Sequence, residues 1–193
     1  MNRHTLQKLL HGKINSPDIG FPVSSEMTRS AAVLIPFVEY RDFTTILLTQ
    51  RSRHLKDHPG QISFPGGGMD PGDDSPAHTA QRETHEELGI APELIEVWGS
   101  LEPVETGTGF LVSPMLGFLK PPLHYSLQAD EVDDAFEVPL EHFLDPRNHK
   151  THSLVYKGQE RDFWAMPYED RFIWGATAYM LRCLYELITG DKT

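Results

Sequence analysis

Cysteine occurs once in 193 residues, at Cys183, so no disulfide can form within the chain and no cysteine cluster can hold zinc. The residues around it read as an apolar helix, which makes a buried, inert thiol the expected state. Positive charge is scarce too: 17 Lys and Arg stand against 28 Asp and Glu, a formal charge of −11. The mean field of such a chain repels polyanions and argues against coating nucleic acid or lying on an anionic membrane. An anionic ligand would need a local basic patch or metal ions. No apolar run approaches the length that spans a bilayer, and Met1 to Lys13 lacks the apolar core and cleavage site of a secretory signal, so a cytoplasmic location is expected. Repeats, heptad runs and low-complexity segments are lacking. Ser, Asp and ten His are available, yet neither a Gly-x-Ser-x-Gly turn nor a His-Glu-x-x-His spacing appears, so hydrolases built on those sites are unsupported.

What is present is a succession of short elements. The length suits one domain and no composition shift marks a linker, so residues 1–193 are expected to form one domain, with a core over about 31–169 and helices from both ends packed on it. His4 to Leu10 reads as a short helix, and Gly12 to Ser30, with Pro17, Gly20 and Pro22, as a loop-rich approach. Ala31 to Tyr40 and Phe43 to Gln50 are β-branched, apolar-rich runs separated by Arg41-Asp42, a hairpin spacing. Gln61 to Pro65 is a shorter extended piece, followed by a glycine turn, Gly66-Gly67-Gly68, where no Cβ hinders unusual backbone angles or close approach to a ligand.

Ser75 can cap a helix that starts with Pro76 and ends at Gly89, a left-handed terminator, giving a helix over Pro76 to Leu88. Further extended segments are expected at Glu96 to Val104, Phe110 to Leu119, Asp134 to Val138, Ser153 to Tyr156 and Asp162 to Ala165. Phe172 to Ile188 reads as a closing helix with an apolar face at Ile173, Ala176, Met180, Leu181, Leu184 and Ile188. Pro103 and Pro114 are expected to end strands, and Phe172 and Trp174 to fill core. The fold class is α+β, a sandwich in which helices cover a sheet.

On the Pro76–Leu88 helix, Glu83, Glu86 and Glu87 stand at i, i+3 and i+4 and share one face. A Glu-rich helix is ordinarily a solvated surface, but three converging carboxylates repel one another and call for cations. Mg²⁺ or Mn²⁺ suits carboxylate oxygens supplemented by a backbone carbonyl, which the glycine segment could offer, and such ions can bridge substrate phosphates. Ala77, Ala80, Thr84 and Leu88 fall on an adjacent face that would pack on the sheet, leaving His78 and His85 toward solvent. Upstream, Arg51, Arg53, His54, Lys56 and His58 make a basic island opposed only by Asp57. A solvated loop with scattered charges is the alternative, but its place before the glycines favours phosphate recognition.

The run Arg82-Glu83-Thr84-His85-Glu86-Glu87-Leu88-Gly89-Ile90 behind Gly66–Gly68 resembles the box of Nudix hydrolases, which implies an α/β/α sandwich with a mixed central sheet and water attack on a diphosphate. The match departs at Thr84, where an aliphatic residue is usual, and at the first acidic position. With Arg82 fixing the register, Gly68 leads and Asp74 takes that position; an alternative with one extra loop residue uses Gly67 and Asp73. The resemblance implies Glu83 and Glu87 as metal ligands with Glu86 beside them, the Gly67 carbonyl as a further ligand, and Arg82 as the residue that orients a carboxylate.

Leu47 to Ser52, Lys56, Gly60 and Phe64-Pro65-Gly66-Gly67 resemble the additional motif of coenzyme A pyrophosphatases within that superfamily, with Lys56 where Arg is usual, which keeps charge but loses the planar fork. Gly99–Val104, Gly109–Pro114 and Phe172–Ala178 resemble the same subfamily less specifically. The resemblance implies hydrolysis of coenzyme A or a derivative to 3′,5′-ADP and 4′-phosphopantetheine or its acyl form, with Arg51, Arg53, Lys56, Gly66 and Gly67 contacting substrate. The general base is open among Glu83, Glu105, Glu131 and Asp133. ADP-ribose or another nucleotide diphosphate conjugate is the rival substrate, and a nucleotide sensor without turnover is the rival of another class. The expected partner is a small-molecule substrate, with no nucleic acid and no membrane, and base rates alone leave a homodimer plausible.

Overall fold

The computed structural model describes residues 1–22, 28–156 and 158–191. The predicted approach loop therefore falls partly, at 23–27, outside the described residues. Helix α1 covers Arg3–Leu10, one residue longer than expected, because Asn2 caps it by accepting from the Thr5 N–H. Strands β1 (Arg29–Glu39) and β2 (Thr44–Arg51) form the expected antiparallel hairpin around Arg41-Asp42. Then come β3 (Ile62–Ser63), β4 (Gly66–Gly68), α2 (Pro76–Leu88), β5 (Glu96–Ser100), β6 (Val104–Glu105), β7 (Phe110–Leu119), β8 (Val132–Pro139), α3 (Leu140–Leu144), β9 (Lys150–Tyr156), β10 (Gln159–Ala165) and α4 (Ala176–Thr189).

Eight of these strands form one mixed sheet with β1 at its centre. β1 runs parallel to β7 from Arg29 to Val38 and antiparallel to β2, and it also pairs with β4; β3 and β8 flank β2, while β5 and β6 flank β7. β9 and β10 make a separate antiparallel ribbon.

Alternation along β1 explains the layering. Ala31, Ile35 and Phe37 pack on one face, with Leu6 and Leu10 of α1, Leu140 and Phe143 of α3, and Leu181, Leu184 and Ile188 of α4. Ala32, Leu34 and Val38 pack on the other, with Ala80 and Leu88 of α2. The result is the expected α/β/α sandwich, with α2 covering one face and α1, α3 and α4 the other. Among the described residues no helix is long and apolar enough to cross a membrane.

Five expectations need correction. The glycine segment is a strand: Gly66, Gly67 and Gly68 pair with Val33, Ala32 and Ala31. The segment expected to run from Glu96 to Val104 splits into β5 and β6, which pair with different stretches of β7. Pro114 does not end a strand but sits inside β7; its ring lies opposite the break between β5 and β6, where its carbonyl accepts from the Leu101 N–H and no partner needs the missing donor. Finally, α4 begins at Ala176 because Gly175 adopts φ +66°, and Phe172, expected in the core, is 44% exposed.

Candidate active site

Both ends of α2 form as their residues dictate. The Ser75 hydroxyl accepts from the His78 N–H, Pro76 occupies the first turn, and Gly89 closes the helix at φ +70° with its N–H on the His85 carbonyl. Ala80, Thr84 and Leu88 are buried against the sheet while His78 and His85 are exposed. Thr84 can stand where an aliphatic side chain is usual because its hydroxyl donates to the Ala80 carbonyl at 2.6 Å, leaving no orphan in the core.

This seating turns the carboxylates toward β4. Gly67 is indispensable at the contact: a Cβ there would lie 2.6 Å from both carboxylate oxygens of Glu83. Gly66 has a different duty, since a Cβ on it would overlap the backbone of Ala32 and Val33. Burial pushes the Glu83 carboxyl upward. Glu87 is only 3% exposed, and burial followed by the Glu83 charge pushes it up to about 8. Its Oε2 is buried without a hydrogen-bond partner.

Arg82 organises the outer side of the cluster. Its guanidinium donates from Nε and Nη2 to the two oxygens of Asp73, from Nη1 to Glu83 Oε1 and Glu86 Oε2, both at 2.9 Å, and from Nη2 to the Gly68 carbonyl at 3.0 Å. The Asp73 side chain is 1% exposed whereas that of Asp74 is 87% exposed and bonds the His78 ring rather than Arg82. Of the two registers the sequence leaves open, the structure therefore selects Gly67 with Asp73. Spacing alone could not decide, because the extra loop residue can be absorbed on either side of the aspartates.

The basic island divides. Arg51, the last residue of β2, stands close enough to Glu87 for its charge to oppose the rise of that carboxyl, and its buried Nε has no partner. Arg53 and Lys56 are exposed in the following loop, where the Arg53 backbone N–H binds Asp133 at 3.1 Å. Among the candidate bases, Glu131 lies near enough to raise both Glu83 and Glu87; Asp133 is engaged with the Arg53 backbone, and Glu105 sits on β6 across β7 from β1.

Residues 27–158 match the NUDIX domain family. Over 154 residues, 80% of either chain, the sequence is 42% identical to the uncharacterized Nudix hydrolase NudL of Enterobacter sp. (strain 638), and over the same length 44% identical to that of Citrobacter koseri. The chain belongs to the Nudix family. In fold this Nudix hydrolase is similar to the MutT protein of Methanosarcina mazei Go1, at TM-score 0.54 and 20% identity over 88% of this chain and 100% of that one. A MutT/nudix family protein of Enterococcus faecalis gives TM-score 0.54 and 14% identity over 99% of this chain and 71% of that one. The protein is thus an enzyme that hydrolyses pyrophosphate bonds.

Nudix hydrolases generally use divalent metal ions. Among the described residues no three His, Cys, Asp or Glu side chains converge on one point, because Arg82 draws Glu83 and Glu86 to itself. The residues nevertheless fit a hard divalent cation. Glu87 presents a buried, unpartnered oxygen, Gly67 leaves the space in which the Glu83 carboxylate lies, and the donors are all oxygen.

Proposed function

We propose that this Nudix hydrolase cleaves the diphosphate bond of coenzyme A or one of its derivatives, releasing 3′,5′-ADP and 4′-phosphopantetheine or its acyl form. Glu83, Glu86 and Glu87, with the Gly67 carbonyl, are the groups that would hold Mg²⁺ or Mn²⁺. The observation that carries the proposal is a pair of neighbouring orphans, the buried Arg51 Nε and the buried Glu87 Oε2, which do not satisfy each other. A buried polar atom without a partner costs about 1–3 kcal/mol. A phosphate oxygen would satisfy the first and a cation the second, so an anionic substrate and a metal together complete the site.

When bound, the metal neutralises charge on the diphosphate and makes its phosphorus open to water. The chain supplies the rest. Arg82, anchored on Asp73, fixes the orientation of Glu83 and Glu86. Arg51 holds a phosphate oxygen, and Glu131 accepts the proton of the attacking water. Arg53 and Lys56, exposed and cationic beside Arg51, suit the separate phosphate that coenzyme A carries on its ribose and that ADP-ribose lacks.

Incubation of the protein with coenzyme A and Mg²⁺ or Mn²⁺, beside ADP-ribose, with products separated by chromatography, tests the proposal. Metal-dependent release of 3′,5′-ADP that disappears in Glu87→Gln is the expected outcome. Turnover of ADP-ribose without turnover of coenzyme A would overturn the substrate and keep the chemistry.

A further inference from the structure

A cavity of about 500 Å³ opens between the Pro103–Gly107 turn, the Asp162–Trp164 end of β10 and the start of α4. That is the size of a small-molecule site, and none of the groups assigned above to metal, diphosphate or ribose phosphate lines it. Trp164 and the half-exposed Tyr179 give it aromatic walls, and Glu105 and Asp162 give it two carboxylates, that of Asp162 also accepting from the Ser153 hydroxyl at 2.6 Å; Phe163, between Asp162 and Trp164 on β10, turns to the other face of the ribbon and packs on Trp174. Among the described residues no Lys, Arg or His lines it. Arg182 lies 4.8 Å from the Trp164 ring, but it is buried and bound to Glu186.

The cavity neighbours the candidate active site through two chains of contacts, beginning at its lining residue Gly175, where an added Cβ would lie 3.8 Å from Gln61 Nε2. At the α4 end, the Thr177 hydroxyl binds the Ile62 carbonyl at 3.2 Å, and the adjoining Gln61 carbonyl accepts from the Arg51 N–H at 2.9 Å. At the other end Val104 pairs with Val112, Val112 with Ala31, and Ala31 with Gly68. Three strand spacings of about 4.8 Å place the turn roughly 14 Å from the glycine strand.

We infer that this cavity receives the uncharged arm of the substrate, the pantetheine chain or its acyl derivative, while the phosphates remain with the cations of the Arg51–Lys56 segment. The inference rests on the coenzyme A reading. Segregation of charge carries it: two carboxylates with no lining cation among the described residues repel a phosphate, but they accept hydrogen bonds from the amide N–H groups of the arm. The aromatic walls cover its methyl and methylene groups. One end of the substrate thus meets cations, and the other meets rings and carboxylates.

Two variants test it. Tyr179→Ala removes an exposed wall, and Gly107→Phe fills the mouth from a position where an added side chain meets open space. Each is assayed for the KM of coenzyme A and for inhibition by the two product halves, with melting temperature as the folding check. The expected result is a rise of about tenfold in the coenzyme A KM and in the inhibition constant of 4′-phosphopantetheine, with that of 3′,5′-ADP unchanged and Tyr179→Phe behaving as the parent. Equal loss toward both halves, or no change in either, overturns the assignment. If the unaltered protein turns over coenzyme A while both variants keep its KM, the cavity assignment fails alone. If the unaltered protein does not turn over coenzyme A, the substrate reading fails and the arm's place in the cavity fails with it.

Discussion

The Asp73 carboxylate receives the Arg82 guanidinium through two parallel hydrogen bonds, 3.1 Å from Nε to Oδ1 and 2.8 Å from Nη2 to Oδ2. The Thr79 hydroxyl and the Asp70 N–H, both at 2.9 Å, hold the same Oδ2. Arg82 is thereby fixed from outside the helix, and its Nη1 sets the position of Glu83 and Glu86. An aspartate in a loop controls the geometry of carboxylates on α2.

Asp73→Asn leaves the shape and removes the charge. It is expected to cost about 1–3 kcal/mol of folding stability, the range for a charge-assisted bond lost from a buried site. Asp74→Asn, on the adjacent exposed residue, should stay within about 0.5 kcal/mol. Urea unfolding of the two variants side by side checks the selection of Asp73; equal midpoints would contradict it.

The same pair makes stability depend on pH. Arg82 holds the Asp73 carboxyl well below the usual carboxylate range. A carboxyl depressed in the folded state contributes stability above its unfolded value, near about 3.9, and loses it as pH falls toward the folded value. The advantage of the parent over Asp73→Asn should therefore be full at pH 6 and shrink below about pH 4. Urea midpoints for both proteins at pH 3, 4 and 6 measure it, and a gap that widens on acidification would reverse the argument.

How far the sequence reveals such relationships depends on the range of the interaction that decides them. Helix α2 is legible at both ends because Ser75, Pro76 and Gly89 act on their own backbone, and its carboxylate face follows from the helical period. The two-faced packing of β1 follows from its continuous apolar run. The choice of Asp73 over Asp74 is not legible, since it depends on how the loop folds back to Arg82. Pro114 inside β7 is hidden for a similar reason, because only the tertiary break between β5 and β6 excuses its missing N–H. Phe172 shows the converse: its aromatic character predicts burial, but Gly175 starts the helix after it and leaves it at the surface. Glu131 is one of four candidate bases in the sequence, and what sets it apart from Glu105 and Asp133 is tertiary: the pairing of β8 with β2 brings its loop to α2.

Two neighbouring glycines should fail in different ways. In Gly67→Ala the added Cβ meets only the mobile end of Glu83, so the protein should fold nearly normally and lose about 10–100-fold in kcat as that carboxylate moves. In Gly66→Ala it meets the backbone of β1, which cannot yield locally, and about 3 kcal/mol or more of stability should go with it. Thermal melting beside metal-dependent activity separates the two; a stable, active Gly66→Ala would sink the close-approach argument.

Glu87 exchanges stability for function. Its buried carboxyl has one unpartnered oxygen and is pushed up to about 8 by burial and the Glu83 charge, so at pH 9 Glu87→Gln removes the cost of keeping it ionised and offers an amide N–H to Glu83. In EDTA at that pH the variant should be more stable than the parent by about 1–2 kcal/mol. With Mg²⁺ or Mn²⁺ it should lose at least about 100-fold in kcat and most of the metal-induced rise in melting temperature. A variant that melts lower than the parent in EDTA at pH 9 would show that the carboxylate is satisfied without a cation.

Arg51 and Lys56 belong to one basic segment but should separate in kinetics. Arg51 stands beside Glu87 with a buried, unpartnered Nε, whereas Lys56 is exposed in the loop beyond it. If Arg51 holds the diphosphate, Arg51→Ala lowers kcat/KM for coenzyme A and for dephospho-coenzyme A alike, by about 100-fold, because both carry that group. If Lys56 serves the ribose phosphate, Lys56→Ala raises KM for coenzyme A by about fivefold to tenfold and leaves dephospho-coenzyme A untouched, with kcat unchanged for both. Lys56→Arg, which adds the planar fork, should lower the coenzyme A KM. Steady-state kinetics of the three variants on the two substrates decides it: equal effects of Lys56→Ala on both would remove that residue from phosphate recognition, and an Arg51→Ala effect confined to coenzyme A would move Arg51 from the diphosphate to the ribose.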